Sequence, residues 1–492
     1  MKVILAGYNV DKEVIEELKK TSPPRDDITP ETLSASYARI SRDPRPAYEL
    51  RAAARKEVEK ARRSNRNIIF KMGHHSVAEH AVFNFDIIGI SRLALEELER
   101  FRLCSYTEKS QRYITLKDDF VVPEEVKKAG MEEIFCETIQ EQNALYHRLY
   151  KKLRPYFFET YKNSAEVSRK HRILEGWAKE DARYVVSLAT QGQLGMSING
   201  RNLEFLIRRF SSKKLAEIRE LNSQLHSLAK EVAPSILLFT EASDFDARTY
   251  LELEKKAAAS WKDPADSGQE VRLVDFTPQA DIKLIASLLH TVSSHSYPQC
   301  LERARSLKSR EKKDFMKAAF KHMEFYDAVP REFEYVDLTF DLMVSATCFA
   351  QLKRHRMTTQ TTQKYNPELG VTIPPSIMEI GARKEFMDMM EKTNRIYFQL
   401  QKKIDRGADY ILTNAHRKRV LIKVNARELY HISRLREDAA AQWDIRSVAA
   451  DMSRLAKEKM PLTFLLIGGK DAYPEIYEKI FQKRPEFIPP KL

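Results

Sequence analysis

One strand–helix pattern occurs twice along this chain, and this internal repeat constrains the fold more than any other feature. In residues 82–90, VFNFDIIGI, apolar and polar side chains alternate, which predicts a half-buried strand. Ser91 follows as the predicted N-cap of a helix that leads to Arg100. The same alternation precedes Ser345, and a helix leads from there to Arg354. Nine residues separate the serine from the arginine in both places, which indicates one unit present twice.

A second element repeats in the same order. Residues 199–219 run from an Asn-x-Arg-x-Leu motif to the tetrapeptide AEIR, and residues 425–446 run from the same motif to WDIR. Two matched elements predict an α+β fold of two tandem copies, each with helices packed on an antiparallel sheet. We expect the domains to cover residues 1–245 and 271–492, joined by a polar linker at 246–270.

Length and composition agree with this division. A chain of 492 residues exceeds the usual size of one core, and its 43% hydrophobic content is ample for globular packing. No stretch approaches the roughly 18 apolar residues that span a bilayer, and residues 1–11 lack the apolar core of a secretory signal. The four cysteines form no CxxC pair and are interpreted as small buried side chains. We therefore expect a soluble cytoplasmic protein without a membrane partner.

The charge favours an anionic partner. Lys and Arg number 83 against 70 Asp and Glu, a net charge of +13, which attracts phosphate-bearing molecules. Residues 55–63, RKEVEKARR, mix both signs as a solvated helix face does. Because no uniformly basic tail or nucleic-acid motif is present, small phosphorylated molecules are favoured over nucleic acid.

The segment with the most chemistry is residues 100–113, RFRLCSYTEKSQRY. Its three arginines suit bidentate contacts to phosphate, and Glu108 and Ser110 offer hydrogen bonds to a polar ring. On composition alone, a surface loop of mixed charge is the favoured interpretation.

This segment resembles the signature RHRxxSxxExSxRY of the flavin-dependent thymidylate synthases. Phe101 replaces the His of that signature, and the remaining positions match: Arg100, Arg102, Ser105, Glu108, Ser110, Arg112 and Tyr113. Residues 73–80, GHHSVAEH, resemble the family's GHxSxxEH segment. Residues 181–185, DARYV, resemble part of its C-terminal pattern.

The second copy retains a different part of the family pattern. It has an intact RHR at residues 354–356, with Gln351 three residues earlier, and NARELYHISRLR at residues 425–436. Its segment after RHR is two residues shorter and has no Glu, with Thr362 and Lys364 roughly where Ser and Arg belong. The GHxSxxEH segment has decayed to FYDAVPREF.

The first copy departs from the pattern elsewhere. It has Glu97 where the family has Gln, and its helix between Arg201 and Arg209 is one residue short, so that Arg209 is the expected counterpart of Arg436.

The resemblance implies a set of site residues divided between the copies. For dUMP it implies Glu108, Ser110, Arg112, Arg183, Gln351, Arg354 and Arg436, of which Ser110, Arg112 and Arg436 take part in catalysis. For FAD it implies Ser76, His80, Arg354, His355, Arg356, Asn425, Arg427 and His431. In this family the site lies between subunits of a tetramer, so we expect one composite site from both copies, an inactive reciprocal site, and a homodimer that mimics the tetramer.

The reaction implied is reductive methylation of dUMP to dTMP, with methylenetetrahydrofolate as carbon donor, NADPH as reductant and FAD as cofactor. An inactive descendant that binds flavin or nucleotide in a regulatory or scaffold role is the alternative, since Phe101 and the shortened second loop depart from the family. A basic nucleic-acid-binding protein is a third. No metal is expected, because the histidines of residues 73–80 have poor spacing for one helix face and no cysteine nearby.

Overall fold

The structure, a computed structural model, describes residues 1–18, 20, 27–40, 43–112, 116, 118–261, 268–404 and 406–489. Tyr113 of the signature segment and residues 262–267 of the predicted linker lie outside the described residues. The predicted domain boundaries stay predictions. By contacts, the chain divides into one compact unit of Met1–Ala265 with Ile380–Thr413, and another of Asp266–Glu379 with Asn414–Leu492.

The strands and helices of the chain up to residue 261 are β1 (Lys2–Tyr8), α1 (Lys12–Leu18), α2 (Glu31–Arg39), α3 (Ala47–Lys56), α4 (Val58–Asn65), β2 (Val82–Ser91), α5 (Arg92–Leu98), β3 (Cys104–Glu108), α6 (Glu124–Lys128), α7 (Glu132–Thr160), α8 (Lys162–Ala165), α9 (His171–Ala182), β4 (Gln191–Asn199), α10 (Gly200–Ser211), α11 (Ala216–Val232) and α12 (Asp244–Ser260). A π-helix spans Arg66–Lys71, and short 3-10 helices span His75–His80, Ser168–Lys170 and Arg183–Val185.

From residue 268 onward the elements are β5 (Val271–Phe276), α13 (Ala280–Thr291), α14 (Tyr297–Ser306), α15 (Ser309–Phe320), β6 (Asp337–Ser345), α16 (Ala346–Leu352), β7 (Thr359–Thr362), α17 (Pro375–Glu379), α18 (Arg383–Lys403), β8 (Arg417–Asn425), α19 (Ala426–Arg436), α20 (Trp443–Lys459) and α21 (Tyr473–Phe481). Here 3-10 helices span Arg331–Tyr335, Pro367–Leu369 and Ala408–Ile411.

Each unit contains one four-stranded antiparallel sheet, and the two sheets have the same strand order. The first is ordered β1-β2-β4-β3 and the second β5-β6-β8-β7. The predicted strands become β2 and β6, and the inward residues of β2, such as Phe83, Phe85 and Ile87, are fully or almost fully buried. The predicted α+β fold of tandem copies, with helices on antiparallel sheets, is confirmed.

The predicted serine caps form in both copies and share a second partner. Ser91 Oγ accepts a hydrogen bond from the backbone N–H of Ala94 (3.0 Å) and donates to Oε2 of Glu217 (2.6 Å). Ser345 Oγ donates to Oδ2 of Asp444 (2.5 Å). Each carboxylate is the acidic residue of the AEIR or WDIR tetrapeptide, so the two repeated elements of the sequence meet at the cap.

The first unit also contains the helix α18, which packs along α7. Gln142 Nε2 donates to Oγ1 of Thr393 (2.9 Å) and to the carbonyl of Ile411 (3.1 Å), all of them buried. The Tyr410 hydroxyl donates to Glu217 Oε2 (2.7 Å). Residues 380–413 therefore complete the core of this unit.

Among the described residues, none of the helices combines the length and the apolar composition needed to cross a bilayer.

Candidate functional site

The predicted loop of the first copy begins at the end of β3, where Glu108 meets an arginine that sequence reasoning missed. Arg92, only 3% exposed, opens α5, and its Nη1 lies 3.7 Å from Oε1 of Glu108. Its Nη2 lies 3.9 Å from Glu96, one helical turn onward. The signal for Arg92 was its place directly after the serine cap, where the second copy has Ala346.

Ser110 and Arg112 lie side by side in the same loop. The backbone N–H of Arg112 donates to Oγ of Ser110 (3.1 Å), and its Nε donates to the buried carboxylate of Glu180 on α9. The contact with Glu180 fixes the position of the Arg112 guanidinium beside Ser110.

Arg183 follows α9 and belongs to the same charged group. Burial lowers the pKa of its guanidinium to about 10, the charges of Arg92 and Arg112 act in the same direction, and Glu180 opposes them. The side chain stays positively charged at neutral pH. The structure thus brings Glu108, Arg112 and Arg183 together, and Glu108 borders a small cleft with Arg92, Gln111 and Thr190.

Ser76 and His80 lie at the other end of β2. Both are exposed residues of the 3-10 helix His75–His80 that precedes this strand, whereas Glu108 lies opposite Leu194, which pairs with Ile87 further along β2. The His80 ring contacts Tyr37 edge-on, with ring centroids 4.6 Å apart. Within this copy, the predicted flavin residues are therefore separated from the start of the predicted nucleotide loop by the stretch of β2 from Val82 to Ile87.

Gly200, at the start of α10, permits the close packing of this 3-10 helix. A Cβ atom there would lie 2.9 Å from the carbonyl oxygen of Ala78 and 2.7 Å from Cγ2 of Ile236. These distances are too short for a side chain, so the position requires glycine.

In the second copy, three predicted residues are in direct contact. Arg436 Nε donates to Nε2 of His355 (2.9 Å), and its Nη2 donates to the carbonyl of Gln351 (3.2 Å). Nδ1 of His355 lies 3.4 Å from Oε1 of Glu428. We call Gln351, His355, Glu428 and Arg436 the arginine–histidine cluster.

The His355 imidazole is neutral in this cluster. Burial lowers its pKa, the charges of Arg436 and His431 act in the same direction, and Glu428 opposes them. A neutral ring that accepts a hydrogen bond at Nε2 carries its proton on Nδ1.

Donor atoms of His355, Glu428 and His431 lie within 4.8 Å of one another, a grouping that can hold a metal ion. However, the ring nitrogen that faces Glu428 carries the proton, and the Arg436 guanidinium adds a positive charge on the other side of the ring. This arrangement favours an organic anion over a cation.

Gln351 has a buried side-chain amide whose hydrogen-bonding capacity is unsatisfied within the described part of the chain. Its side chain is 8% exposed, and neither Oε1 nor Nε2 has a hydrogen-bond partner among the described residues. A buried amide without partners costs about 1–3 kcal/mol. Both atoms are therefore candidates for contact with a bound molecule.

The remaining predicted residues of this copy have varied surroundings. Arg354 and Arg356 are exposed, and His431 is exposed with its ring centroid 5.8 Å from that of His355. Asn425 caps α19 by accepting from the backbone N–H of Glu428 (2.8 Å). Arg427 donates to the carbonyl of Val329 (2.9 Å). Asn425 and Arg427 thus hold local structure as well.

The first copy has three phenylalanines where the second has His355, His431 and Arg436. Counted from the capping asparagines Asn199 and Asn425, Phe205 matches His431 and Phe210 matches Arg436. The Phe101 ring lies 5.8 Å from that of Phe205 at 75°, the same geometry as His355 and His431, and 5.4 Å from that of Phe210. The positions that hold an arginine and two histidines in one copy thus form an apolar cluster in the other.

The match of Arg209 to Arg436 is therefore wrong in helix phase. One residue turns a side chain by about 100° around an α-helix, which directs Arg209 away from Phe101. Its Nη1 instead pairs with Oδ1 of Asp246 at the start of α12 (2.5 Å).

Strand register also changes where the two missing residues of the second copy's loop, after residues 354–356, are placed. Glu108 lies opposite Leu194, and Thr362 lies opposite Val420, each five residues before the capping asparagine. Thr362 thus takes the place of Glu108, not that of Ser110 as the sequence suggested, and the missing residues come after it.

Comparisons with known proteins agree with a twofold pattern. The family model of the thymidylate synthase complementing protein, Thy1, matches residues 26–235 and 272–462. A UPF0159 protein of Chlamydia muridarum is 24% identical over 416 residues, which are 81% of this chain and 79% of that protein. A flavin-dependent thymidylate synthase of Clostridium tetani is 29% identical over 217 residues, 44% of this chain and 83% of that enzyme.

Among solved structures, the flavin-dependent thymidylate synthase ThyX of Helicobacter pylori, complexed with FAD and dUMP, covers 49% of this chain and 98% of its own at 19% identity and a TM-score of 0.33.

Proposed function

The chain belongs to the thymidylate synthase complementing protein family, and from this premise we propose that it is a flavin-dependent thymidylate synthase that converts dUMP to dTMP. Methylenetetrahydrofolate is the carbon donor in this proposal, and NADPH is the reductant. FAD, once reduced, supplies the hydride. The observation that carries the proposal is the buried, unpartnered amide of Gln351 beside the guanidinium of Arg436, because such a pair suits a nucleotide with a polar ring and a phosphate.

The nucleotide residues come from both copies in this proposal. Arg112, Arg183 and Arg436 neutralise the phosphate of dUMP and polarise the uracil, in which role arginine's fixed fork of donors is effective. Ser110 acts as a hydrogen-bond donor and Glu108 as an acceptor. Positioning the substrate in this way removes much of the entropic cost of bringing it to the cofactor.

The flavin residues are proposed from the family pattern. They are Ser76, His80, Arg354, His355, Arg356, Asn425, Arg427 and His431. The exposed Arg354 and Arg356 suit the pyrophosphate of FAD, since its charge needs guanidinium donors. The redox chemistry belongs to the cofactor, so these side chains bind and orient it.

Each copy has lost site residues that the other copy retains, which supports one kind of composite site rather than two kinds. The first copy has Glu108 but lacks the arginine–histidine cluster, and the second has the cluster but a threonine at the Glu108 position. The reciprocal combination would offer Phe101, Phe205 and Phe210 to an anion. We therefore propose a homodimer, with four copies in total, in which only the composite sites turn over.

An inactive flavin- or nucleotide-binding descendant is the second candidate, favoured by the phenylalanine cluster. The two are separated by purifying the full chain, recording its flavin spectrum, and measuring NADPH oxidation and dTMP formation with and without dUMP. We expect bound flavin and dUMP-stimulated turnover. Bound flavin without dTMP formation would favour the inactive descendant, and colourless protein that binds neither FAD nor dUMP and does not turn over would contradict both.

A further inference from the structure

We propose that Glu428 is a positioning residue that orients the His355 ring and thereby holds the Arg436 guanidinium in place for an anionic ligand. The identity of that ligand as the phosphate of dUMP rests on the proposed function. The orientation itself does not, because it concerns contacts within one unit of the protein.

The contacts form a chain of three side chains. Glu428 and Arg436 both belong to α19, two turns apart and on the same face. The His355 ring lies between them, with Nδ1 3.4 Å from Glu428 and Nε2 2.9 Å from Nε of Arg436. His355 is 4% exposed and Glu428 is 8% exposed, so bulk water does not compete for these atoms.

A carboxylate at this position selects one tautomer of the ring. Arg436 only donates, so its bond to Nε2 exists only in the tautomer whose proton lies on Nδ1. Glu428 accepts from Nδ1–H and stabilises that form. If the carboxylate is removed, the proton can move to Nε2, where it opposes the N–H of Arg436, and the guanidinium has to turn away.

Glu428 also offsets the positive charge of Arg436 in a partly buried place. Removing a negative charge from a partly buried charged group makes the nearby positive charge less favourable. The carboxylate therefore supports the guanidinium by charge as well as by orientation.

The first copy shows what occurs where no such orientation is needed. Asn202 takes the position of Glu428, three residues after the capping asparagine, and its Nδ2 donates to Oδ1 of Asn199 (2.8 Å). The ring at the His355 position is Phe101 there. A carboxylate at this helix position thus accompanies the histidine and the arginine.

The test compares Glu428→Ala and Glu428→Gln in the full chain, with Asn202→Ala as the matched control. Histidine-selective 15N NMR, with His355→Phe to assign the signal, reports the tautomer without any ligand. We expect Nδ1–H in the unmodified protein, in Glu428→Gln, which retains an acceptor oxygen, and in Asn202→Ala. We expect Glu428→Ala to lose it. Glu428→Met, which retains the side-chain volume without an acceptor, replaces the alanine variant if that one does not fold.

Binding of dUMP, measured by calorimetry, gives the functional reading. Glu428→Ala is expected to weaken it by about tenfold, as for the loss of one hydrogen bond to a charged group, and Glu428→Gln by no more than about threefold. An unchanged tautomer in both Glu428→Ala and Glu428→Met would overturn the proposal. A changed tautomer in a protein that never binds dUMP would leave the orientation standing and remove the proposed substrate.

Discussion

Replacing Arg436 by alanine is the most direct perturbation of the candidate site. Its guanidinium donates to His355 Nε2 and to the carbonyl of Gln351, whose own side-chain amide is buried and has no partner among the described residues. A hydrogen bond to a charged group contributes about 1.5–3 kcal/mol. Loss of one such bond to the dUMP phosphate corresponds to a roughly 10- to 150-fold weaker Kd.

Arg209→Ala is the matched control from the first copy. Arg209 is 34% exposed in its side chain and pairs with Asp246 at 2.5 Å. Because Asp246 retains Arg208 (3.4 Å) and the hydroxyl of Ser243 (2.9 Å) as partners when Arg209 is removed, we expect a small change in unfolding free energy and an unchanged Kd for dUMP. Arg112→Ala, in the other half of the composite site, should resemble Arg436→Ala and abolish dUMP-dependent turnover.

Isothermal titration calorimetry with dUMP, on variants whose urea unfolding curves show an intact fold, measures these effects. Arg436→Lys retains the charge without the planar fork and is expected to fall between wild type and alanine. If Arg209→Ala weakens dUMP as much as Arg436→Ala does, then both kinds of site function and the asymmetry of the copies is not what we infer. An Arg436→Ala variant with normal Kd would refute the role of the cluster itself.

Three further predictions concern stability. Ser345→Ala removes a helix N-cap and a hydrogen bond to Asp444. It should lower the free energy of unfolding in urea by about 2–3 kcal/mol. A change smaller than the experimental error would mean that water replaces the cap. His355 has a folded-state pKa below the ordinary value of 6.5, so its contribution to stability is present above pH 6.5 and is lost as the pH falls towards the folded pKa. His355→Phe should therefore reduce the loss of unfolding free energy between pH 7 and pH 5. An identical pH profile in the variant and the unmodified protein would contradict this. Gly200→Ala brings a Cβ to 2.9 Å from the carbonyl of Ala78 and should cost about 1–3 kcal/mol, measured by thermal unfolding, while an unchanged Tm would show that the 3-10 helix gives way freely.

The sequence predicts the framework of this protein well, because the framework follows local rules. Alternation of side chains defines β2 and β6, and a serine at the end of each strand defines the caps of α5 and α16. These patterns need only a few neighbouring residues, so they survive in both copies although the chemistry of the copies has diverged.

The site is less predictable, since it depends on helix phase and on distant partners. Arg209 has the same residue type as Arg436, but Phe210 has the same position on the helix. This becomes clear only when residues are counted from the capping asparagine of each helix. Arg92 and Glu428 fall at positions that the family motif leaves open. Their importance comes from Glu108 and His355, which lie far away in sequence and close in space.

The return of residues 380–413 to the first unit has a consequence for how the protein is made. The buried Gln142 of α7 gains its partners Thr393 and Ile411 only after the ribosome has passed most of the second repeat. The first unit cannot complete its core until that segment has been synthesised. A gene truncated between the repeats would encode an N-terminal product in which the face of α7 that packs against α18 is uncovered. The segment that completes the first unit is thus encoded within the second repeat, so removal of the second repeat also removes part of the first unit's core.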